Sequence, residues 1–262
     1  MKYEPARKVP KMSASAAREV ELSVVVPAFN EAARIRVTCN RITSCLSQAG
    51  PAFDFEVIVV DDGSADATAE TARAALEGRG RHSVIRLERN RGKGAAVKAG
   101  VLASQGRFVL FTDADLSTPI ETAFEFLRYL RNGWDVVIGS RALKESDILL
   151  HQPLVRELMG KAFNLLVRGL VLRGFRDTQC GFKAFSRRAA LEIFSELRTE
   201  GFAFDVEVLR RALELGCRVK EVPVAWADSR PSRVKLAAGS WRMLRELLAL
   251  RRLFTREKKG LS

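Results

Sequence analysis

Histidine and paired cysteine, the usual ligands of zinc, are scarce in this chain of 262 residues. The sequence contains two histidines and four cysteines, and no two cysteines form a CxxC pair. This scarcity excludes a zinc site of common spacing and predicts reduced thiols rather than disulfides. The residues concerned are His82, His151, Cys39, Cys45, Cys180 and Cys217.

Long hydrophobic runs are also missing. The longest stretch without a charged residue extends from Ile42 to Phe53, and Gly50 and Pro51 interrupt it. A membrane-spanning helix needs about 20 apolar residues, so the sequence predicts no transmembrane segment. Residues 1–20 carry charges without an apolar core, which predicts a flexible lead-in rather than a secretory signal.

Acidic residues are outnumbered by basic residues, 31 to 44, which gives a formal net charge of +13. This excess indicates an anionic partner, whether a nucleic acid, a phosphorylated substrate or a membrane surface. Apolar residues make up 47% of the chain and charged residues 29%. That balance is typical of a globular protein and excludes a disordered, collagen-like or coiled-coil chain.

Strand and helix patterns alternate over the first half of the chain. Short β-branched or aromatic runs predict strands at Leu22–Val26, Phe55–Val60, Val84–Leu87, Phe108–Thr112 and Trp134–Ile138. Helical patterns lie between them at 31–48, 66–76, 93–104 and 119–131, with Asp66 as a predicted N-cap. The alternation predicts a mostly parallel sheet flanked by helices, with ligands bound beyond the carboxyl ends of its strands.

The alternation stops after Arg141, and the second half reads differently. We predict an amphipathic helix at 153–172, a polar loop at 177–183, helices at 188–197 and 204–215, and a strand at 219–225. A last helix at 236–256 has one apolar face and a basic opposite face. Both amphipathic helices either pack on the core or lie on an anionic membrane surface.

Polar residues follow four of the predicted strands, at Asn30-Glu31, Asp61-Asp62, Asp113-Ala114-Asp115 and Ser140-Arg141. Asp113 and Asp115 can flank a hard cation such as Mg²⁺ or Mn²⁺, or they form a solvated loop with a helix N-cap. The turn at Asp61 either is ordinary turn chemistry or binds a nucleoside base or ribose. Two acidic turns at one sheet edge favour a joint site.

These strand-end motifs carry a resemblance to glycosyltransferase family 2. The chain resembles that family from about Leu22 to Leu236, at the segments Val25–Glu31, Val60–Ser64, Asn90–Gly94 and Asp113–Asp115. The resemblance implies the GT-A nucleotide-diphospho-sugar transferase fold, an α/β fold with a mostly parallel central sheet, followed by C-terminal amphipathic helices. It implies a transferase domain at 21–235 between the lead-in at 1–20 and a basic amphipathic helix at 236–262.

Within the family, the chain is most similar to the polyprenyl-phosphate sugar synthases, in particular the dolichyl-phosphate β-glucosyltransferase-like branch. The segments that carry this similarity are Gly139–Arg141, Asp177–Lys183, Phe204–Val208 and Glu221–Trp226. The similarity implies an inverting transfer of a hexose from a nucleotide-sugar to a polyprenyl or dolichyl phosphate, assisted by Mg²⁺ or Mn²⁺. UDP-glucose is the first choice of donor and GDP-mannose the second.

The resemblance also implies roles for individual residues. The nucleotide-sugar would contact Pro27, Phe29, Glu31, Asp61, Lys93 and Asp113. The metal would be held by Asp113 and Asp115, whereas Ser117 stands where related synthases often carry a metal-binding Gln. Acceptor and diphosphate would contact Arg141, Lys183, Ser232, Arg233 and Lys235. The residues implied in catalysis are Asp115, Arg141 and Asp205.

The chemistry of a phosphate acceptor suits these residue types. A phosphomonoester has a second pKa of about 6, so its oxygen is already a nucleophile at neutral pH and needs little help from a base. The protein must instead hold two anionic groups together, and basic side chains offset their repulsion. A lipid acceptor further implies peripheral association with the cytoplasmic face of a membrane.

Three alternatives remain open. The same fold can act on a saccharide or protein hydroxyl, and then Asp205 or another carboxylate must serve as base. A dinucleotide-binding oxidoreductase is disfavoured, because Val97 occupies the third glycine position of the turn that begins at Gly92. A nucleic-acid-binding module is disfavoured by the acidic strand ends. The sequence leaves the oligomeric state undetermined.

Overall fold

The structure is a computed structural model that describes residues 19–150, 166–167, 169, 171–172, 174–228 and 245–255. Its strands are β1 (Leu22–Ala28), β2 (Phe55–Asp61), β3 (Arg81–Arg86), β4 (Phe108–Thr112), β5 (Val136–Ser140), β6 (Asp147–Leu150), β7 (Phe182–Ser186), β8 (Val219–Pro223) and β9 (Ala225–Ala227). Its helices are α1 (Ile35–Ser47), α2 (Thr68–Leu76), α3 (Lys93–Ala103), α4 (Thr122–Arg131), α5 (Arg187–Ser195), α6 (Phe204–Glu214) and α7 (245–255).

Seven strands form one sheet in the order β3-β2-β1-β4-β7-β5-β8. Neighbouring strands in this sheet are parallel except at β7, which runs antiparallel to both β4 and β5. Strands β6 and β9 pair with each other in parallel in a second sheet. The mostly parallel sheet confirms the predicted fold class and brings the carboxyl ends of β1, β2, β4 and β5 to one edge.

Hydrophobic residues cover both faces of the large sheet, because its central strands bury alternate side chains on opposite sides. In β1, Val24 and Val26 pack into a cluster with helices α1, α2 and α4. Val25 points to the other face and packs with α3, α5, α6 and α7. The sheet is therefore the middle layer of three, and this sandwich holds its strand ends in fixed positions.

Strand β7 differs from the sequence prediction, which extended a polar loop to residue 183. Phe182–Ser186 is a strand inside the sheet, between β4 and β5, and its second residue, Lys183, is fully buried. A lysine inside a short apolar run hides the strand pattern, because a buried lysine is rare without a partner. The predicted strand at 219–225 also divides at Val224 into β8 and β9.

Strand β1 continues through Pro27, where the sequence predicted its end. The Ala28 carbonyl accepts a hydrogen bond from the backbone N–H of Asp62, so Ala28 faces β2 and Pro27 faces the opposite side. On that side, pairing with β4 stops at Val25. The missing N–H of Pro27 therefore leaves no ladder bond unmade.

Three predicted helices begin later in the structure, with α1 at Ile35, α2 at Thr68 and α4 at Thr122. Asp66 was predicted to cap α2, and its Oδ1 does accept a hydrogen bond from the Thr68 backbone N–H at 3.1 Å. The residue directly before that helix is Ala67, which makes no side-chain cap. The aspartate therefore satisfies the first helical amide from one position further upstream.

The C-terminal helix α7 packs its apolar face on the protein. Leu247, Leu250 and Phe254 are buried with the residues of α5 and α6. The described part of this helix thus follows the core-packing alternative. The predicted helix at 153–172 and the predicted domain boundaries at 20 and 235 fall largely outside the described residues. Within the described ranges, no helix combines the length and apolar character needed to cross a bilayer.

Candidate active site

The carboxyl end of β2 carries two aspartates that do different work. Asp61 is fully buried, and its Oδ1 accepts a hydrogen bond from the Ser64 backbone N–H at 3.0 Å. Its Oδ2 lies 3.4 Å from the Arg86 Nε, in an ion pair, but accepts no hydrogen bond. Phe29 follows the strand residue paired with Asp61 and is 39% exposed. A partly exposed aromatic residue thus follows the strand position that pairs with the buried carboxylate.

The loops after β1 and β2 are tied together. Asn30 adopts a positive φ of 55°, which Asn tolerates better than most residues. Its backbone N–H donates to the Ser64 Oγ, and its Oδ1 accepts from the Ala65 N–H. The Glu31 N–H donates to the Thr68 Oγ1, and its carboxylate pairs with Arg34. These contacts join the loop after β1 to the loop after β2, next to Asp61.

Asp62 holds the loop that leads into α3. Its two carboxylate oxygens accept hydrogen bonds from the Arg91 and Gly92 backbone N–H groups, both at 2.8 Å. Burial and the neighbouring Asp61 raise the pKa of Asp62, although the two backbone bonds oppose this rise. The φ of Gly92 is +119°, and a Cβ there would lie 2.5 Å from the Glu200 carbonyl oxygen. The loop is therefore held from both sides, and Lys93 follows it.

Lys93 is the first residue of α3 and reaches the end of β4. Its Nζ lies 2.5 Å from the Asp113 Oδ1, and it stands 5.9 Å from the centre of the Phe204 ring. Burial lowers the pKa of Lys93, but the negative charges of Asp113 and Asp205 outweigh burial and raise it overall. The ammonium is therefore a fixed positive charge beside the acidic turn.

The acidic turn itself is compact. The Asp115 Oδ1 accepts a hydrogen bond from the Ser117 N–H at 2.9 Å, and Leu116 between them has a positive φ of 49°. Burial and the nearby Asp113 raise the pKa of Asp115. A Cβ at Gly181 would lie 1.9 Å from the Asp113 Oδ2, so only glycine lets that carboxylate sit where it does.

The two carboxylates fit a hard divalent cation. Their ligand atoms are all oxygen, and burial, together with the negative charge of Asp113, raises the pKa of Asp115. Mg²⁺ in proteins typically uses one or two carboxylates and completes its shell with water and substrate phosphate. Among the described residues, no group of three or more His, Cys, Asp or Glu side chains could hold a metal. A cation here would thus depend on Asp113, Asp115 and the substrate.

A second lysine–carboxylate pair lies deeper in the same edge. The Lys183 Nζ lies 2.5 Å from the Asp205 Oδ1 and donates to the Cys180 carbonyl at 2.7 Å. Its side chain is fully buried and stands over the Phe111 ring. Burial raises the pKa of Asp205, although Lys183 and Lys93 lower it. The Lys183 ammonium therefore already binds Asp205 and the Cys180 carbonyl, and a ligand would have to compete with these contacts.

Arg141, at the end of β5, makes a two-pronged ion pair. Its Nε and Nη2 lie 2.6 and 2.9 Å from the two carboxylate oxygens of Asp177. Burial raises the pKa of Asp177, but the guanidinium outweighs it and holds this pKa at about 2. The Arg141 side chain is 28% exposed and stands 5.6 Å from the Trp226 ring centre. Asp177 thus orients the guanidinium of Arg141, and part of that side chain stays accessible to solvent.

Glu207 lies two residues after Asp205 on α6, and the structure places the two side chains in different networks. Glu207 is fully buried and accepts hydrogen bonds from the Arg198 and Thr199 backbone N–H groups. It also pairs with Arg211 on the next turn of α6. Glu207 is therefore engaged away from Asp113 and Lys93.

The structure thus brings together most of the side chains that the sequence singled out. Asp113, Lys93, Asp205 and Lys183 form one charged cluster, with Asp115 and Arg141 close enough to affect it electrostatically. Asp61 and Phe29 form a separate corner at the ends of β1 and β2. Pro27 is buried inside β1. Ser232, Arg233 and Lys235 lie outside the described residues.

Sequence reasoning missed the residues that hold the site from behind. Asp62 anchors the loop before Lys93, Asp177 orients Arg141, and Gly181 makes room for Asp113. Two of these carry a sequence signal: Asp62 adjoins Asp61, and Asp177 opens the polar segment before β7. Which carboxylate faces inward depends on how the chain leaves the strand, and the order of residues does not reveal it.

The thiols add no reactive group to this site. All four cysteines are free and buried. Burial raises the pKa of both Cys39 and Cys180 to about 11. A thiolate is the reactive form of cysteine, so these side chains act as small apolar core residues.

Comparison with known proteins gives a family profile and a set of relatives. The profile described as "Glycosyl transferase family 2" matches residues 23–194. The dolichyl-phosphate beta-glucosyltransferase of Homo sapiens is 38% identical over 243 residues, which cover 88% of this chain and 75% of that protein. The protein of the same name from Drosophila melanogaster is 41% identical, over 80% of this chain and 68% of that protein.

Solved structures resemble the chain in fold. A crystal structure of glucosyl-3-phosphoglycerate synthase from Mycobacterium tuberculosis, in complex with Mn²⁺, UDP-glucose and phosphoglyceric acid, superposes with a TM-score of 0.65. The two chains are 23% identical, and the match covers 95% of this chain and 86% of that chain. At this identity the likeness shows the fold, and the predicted nucleotide-diphospho-sugar transferase architecture is confirmed.

Proposed function

Since the chain belongs to glycosyl transferase family 2, we propose that it transfers glucose from UDP-glucose to the phosphate of a polyprenyl or dolichyl phosphate. The chain is a glycosyltransferase, and the proposal concerns its donor, acceptor and metal. The names of its relatives supply the reaction class. The observation that carries the proposal is the cluster at the end of β4, where Lys93 pairs with Asp113 and Arg141 lies close enough to interact electrostatically with that carboxylate.

The nucleoside would occupy the corner between β1 and β2. The buried Oδ2 of Asp61 accepts no hydrogen bond and has only the Arg86 guanidinium beside it, and a buried acceptor without a hydrogen bond is costly. The N–H groups of a base would satisfy it. The exposed ring of Phe29 offers an apolar face of the kind on which bases stack. This corner supports the predicted role of Asp61 and favours no sugar over another.

The diphosphate would lie over the acidic turn. Asp113 and Asp115 would hold Mg²⁺ or Mn²⁺, which supplies positive charge to offset the charge on the departing diphosphate. Lys93 is the protein's own cation at this point, because its ammonium is fixed beside Asp113. The predicted residues Arg233 and Lys235 would add to this charge, and Ser232 could donate a hydrogen bond, from a segment outside the described residues.

The acceptor phosphate would approach from the side of Arg141. Its ionised oxygen forms a bond to the anomeric carbon of glucose, while the bond from that carbon to the diphosphate oxygen breaks. The electron pair leaves with UDP, and the configuration at carbon inverts. Arg141 can offset the repulsion between the two anions because Asp177 already fixes the plane of its guanidinium. No proton must be removed from the acceptor, so Asp205 would position the sugar rather than act as base.

The lipid part of the acceptor would meet the protein near β6. Leu149 and Leu150 are 63% and 50% exposed, which is high for leucine. Their strand pairs with β9, where Trp226 stacks on Arg141. An apolar edge thus adjoins the proposed phosphate site. This edge supports the predicted peripheral association with a membrane, whose cytoplasmic face is implied by the resemblance alone, and the buried apolar face of α7 is not the contact.

A transfer assay tests this proposal. The full chain is incubated with UDP-glucose or GDP-mannose, a short polyprenyl phosphate, and Mg²⁺ or Mn²⁺. We expect a glucolipid product from UDP-glucose that EDTA abolishes. Asp115→Asn should lower the rate at least about 100-fold, because a metal ligand is lost. The exposed Glu77→Gln is the matched control and should keep the rate.

The other outcomes separate the parts of the proposal. A product formed from GDP-mannose but not from UDP-glucose would overturn the proposal that UDP-glucose is the donor. Donor hydrolysis without lipid product would overturn the acceptor and direct the search to hydroxyl groups. A rate that neither EDTA nor Asp115→Asn changes would overturn the proposal that a divalent metal assists the transfer.

A further inference from the structure

Residues 198–203 form a loop, here called the clamp loop, that lies behind the first turn of α3. The Ala95 backbone N–H donates to the Glu200 carbonyl at 3.2 Å. A Cβ at Gly94 would lie 2.4 Å from the Thr199 carbonyl oxygen, so the two backbones are in direct contact. The Glu200 carboxylate also pairs with Arg91. The clamp loop therefore contacts the chain at Arg91, before Lys93, and at Gly94 and Ala95, after it.

Two carboxylates from different helices hold the clamp loop in turn. Glu207 of α6 accepts hydrogen bonds from the loop's first two amides, as described above. Glu246 of α7 accepts one from the Ala203 N–H at 3.1 Å, near the other end of the loop. The Glu246 carboxylate also covers Gly201, where a Cβ would lie 2.0 Å from its Oε1. Glu207 of α6 therefore fixes the start of the loop, and Glu246 of α7 fixes its end.

We propose that Glu246 is a positioning residue for the donor site, which acts by pressing the clamp loop onto the start of α3 and so fixing Lys93. The route runs from Glu246 to Gly201 and Ala203, then through Glu200 to Ala95, and each step is a contact given above. This inference rests on the proposed function, because it treats Lys93 as a donor-binding residue. It assigns α7 a part in substrate binding, beyond packing on the core.

The test uses Glu246→Ala and Glu246→Gln in the full chain. Loss of the acceptor leaves the Ala203 amide without its carboxylate, so we expect Glu246→Ala to raise the KM for UDP-glucose about tenfold with kcat nearly unchanged. The glutamine Oε1 can still accept the bond, so Glu246→Gln should restore most of the affinity. Glu214→Ala, on the exposed side of α6, is the matched control and should leave KM unchanged.

Hydrogen exchange of the ligand-free protein supplies a readout that does not depend on the donor. We expect faster exchange of the amides of residues 93–96 in Glu246→Ala and wild-type protection in Glu246→Gln. Unchanged exchange in Glu246→Ala would overturn the inference, as would faster exchange with an unchanged KM. Failure of the wild-type protein to use UDP-glucose would instead overturn the proposed function, and nucleotide affinity would replace KM in the comparison.

A second substitution guards against simple misfolding. Gly201→Ala places a methyl group against the flexible end of the Glu246 side chain, which can move away without unfolding the core. It should reproduce the KM and exchange effects of Glu246→Ala at an unchanged melting temperature. A normal KM in this variant would contradict the route through Gly201.

Discussion

Two lysine–carboxylate pairs occupy the same edge of the sheet and differ mainly in their access to water. In both, the ammonium lies 2.5 Å from a carboxylate oxygen. The side chains of Lys93 and Asp113 are 17% and 37% exposed, whereas those of Lys183 and Asp205 are 0% and 4% exposed. The two pairs therefore have the same ion-pair distance but can play different roles in the site. The exposed pair can exchange its partner for a ligand, and the buried pair cannot separate without leaving a charge in the core.

The largest effect is expected from breaking the buried pair. Lys183→Met leaves Asp205 buried without its ammonium, and removal of one partner of such a pair costs about 3–5 kcal/mol of unfolding free energy. Urea denaturation followed by circular dichroism measures the loss. The double variant Lys183→Met/Asp205→Leu should recover most of it, because no charge is then left unpaired. A single variant as stable as wild type would show that Asp205 is not held by Lys183.

A smaller, pH-dependent effect is expected from the pair of Arg141 and Asp177. The pKa of Asp177 is lowered from 3.8 to about 2 in the folded protein, so its stabilising effect is complete above pH 4 and is lost as pH falls towards 2. At about 1.4 kcal/mol per pKa unit, the difference amounts to about 2 kcal/mol.

Denaturant titrations at several pH values test this point. Between pH 4 and pH 2, wild type should lose about 2 kcal/mol more stability than Asp177→Asn. Asp147→Asn, on the exposed strand β6, is the control and should follow wild type. Parallel pH curves for wild type and Asp177→Asn would contradict the assignment.

The exposed pair should matter less for stability. Lys93→Met removes a partly solvated ion pair, which is worth about 1 kcal/mol or less. The same variant should bind UDP about tenfold more weakly, because a charged contact to phosphate is lost. Calorimetric titration of UDP in the presence of Mg²⁺ measures the change. A Lys93→Met variant destabilised as strongly as Lys183→Met would remove the contrast between the two pairs.

The smallest effect is expected from an ion pair on helix α6, away from the two lysine–carboxylate pairs. Arg210 and Glu214 form an ion pair one turn apart on α6, with side chains 21% and 35% exposed. Such pairs contribute about 0.3–0.5 kcal/mol, so Glu214→Ala should lower stability by no more than that. Thermal unfolding in low and high salt checks it, since added salt should reduce even this difference.

The sequence predicted the frame of the site better than its interior. Strand ends at Asp61, Asp113 and Arg141 are visible because each follows an apolar run, and parallel strands bring such ends together. Strand β7 was missed because Lys183 interrupts its pattern. The partner that makes Lys183 tolerable, Asp205, lies on another element, and a buried ion pair between distant residues leaves no local pattern.

The supporting residues escaped prediction for a related reason. Asp62, Asp177 and Glu246 act on backbone amides of other segments, and any carboxylate can do so wherever the fold brings an amide close. Their sequence neighbourhoods resemble ordinary polar loops. Only the register of β2, β5 and α7 against those segments decides which carboxylate serves the site.

The antiparallel strand β7 also bears on how the chain is made. Strand β4 ends at Thr112, and its partner β7 begins only at Phe182, so the ribosome must add the whole stretch between them before the sheet can close. Until then, the half-built sheet β3-β2-β1-β4 presents an open apolar edge of the kind that pairs with other chains. Lys183 arrives on that same strand, and its partner Asp205 follows on α6, so the charged cluster is complete only after β7 has been added.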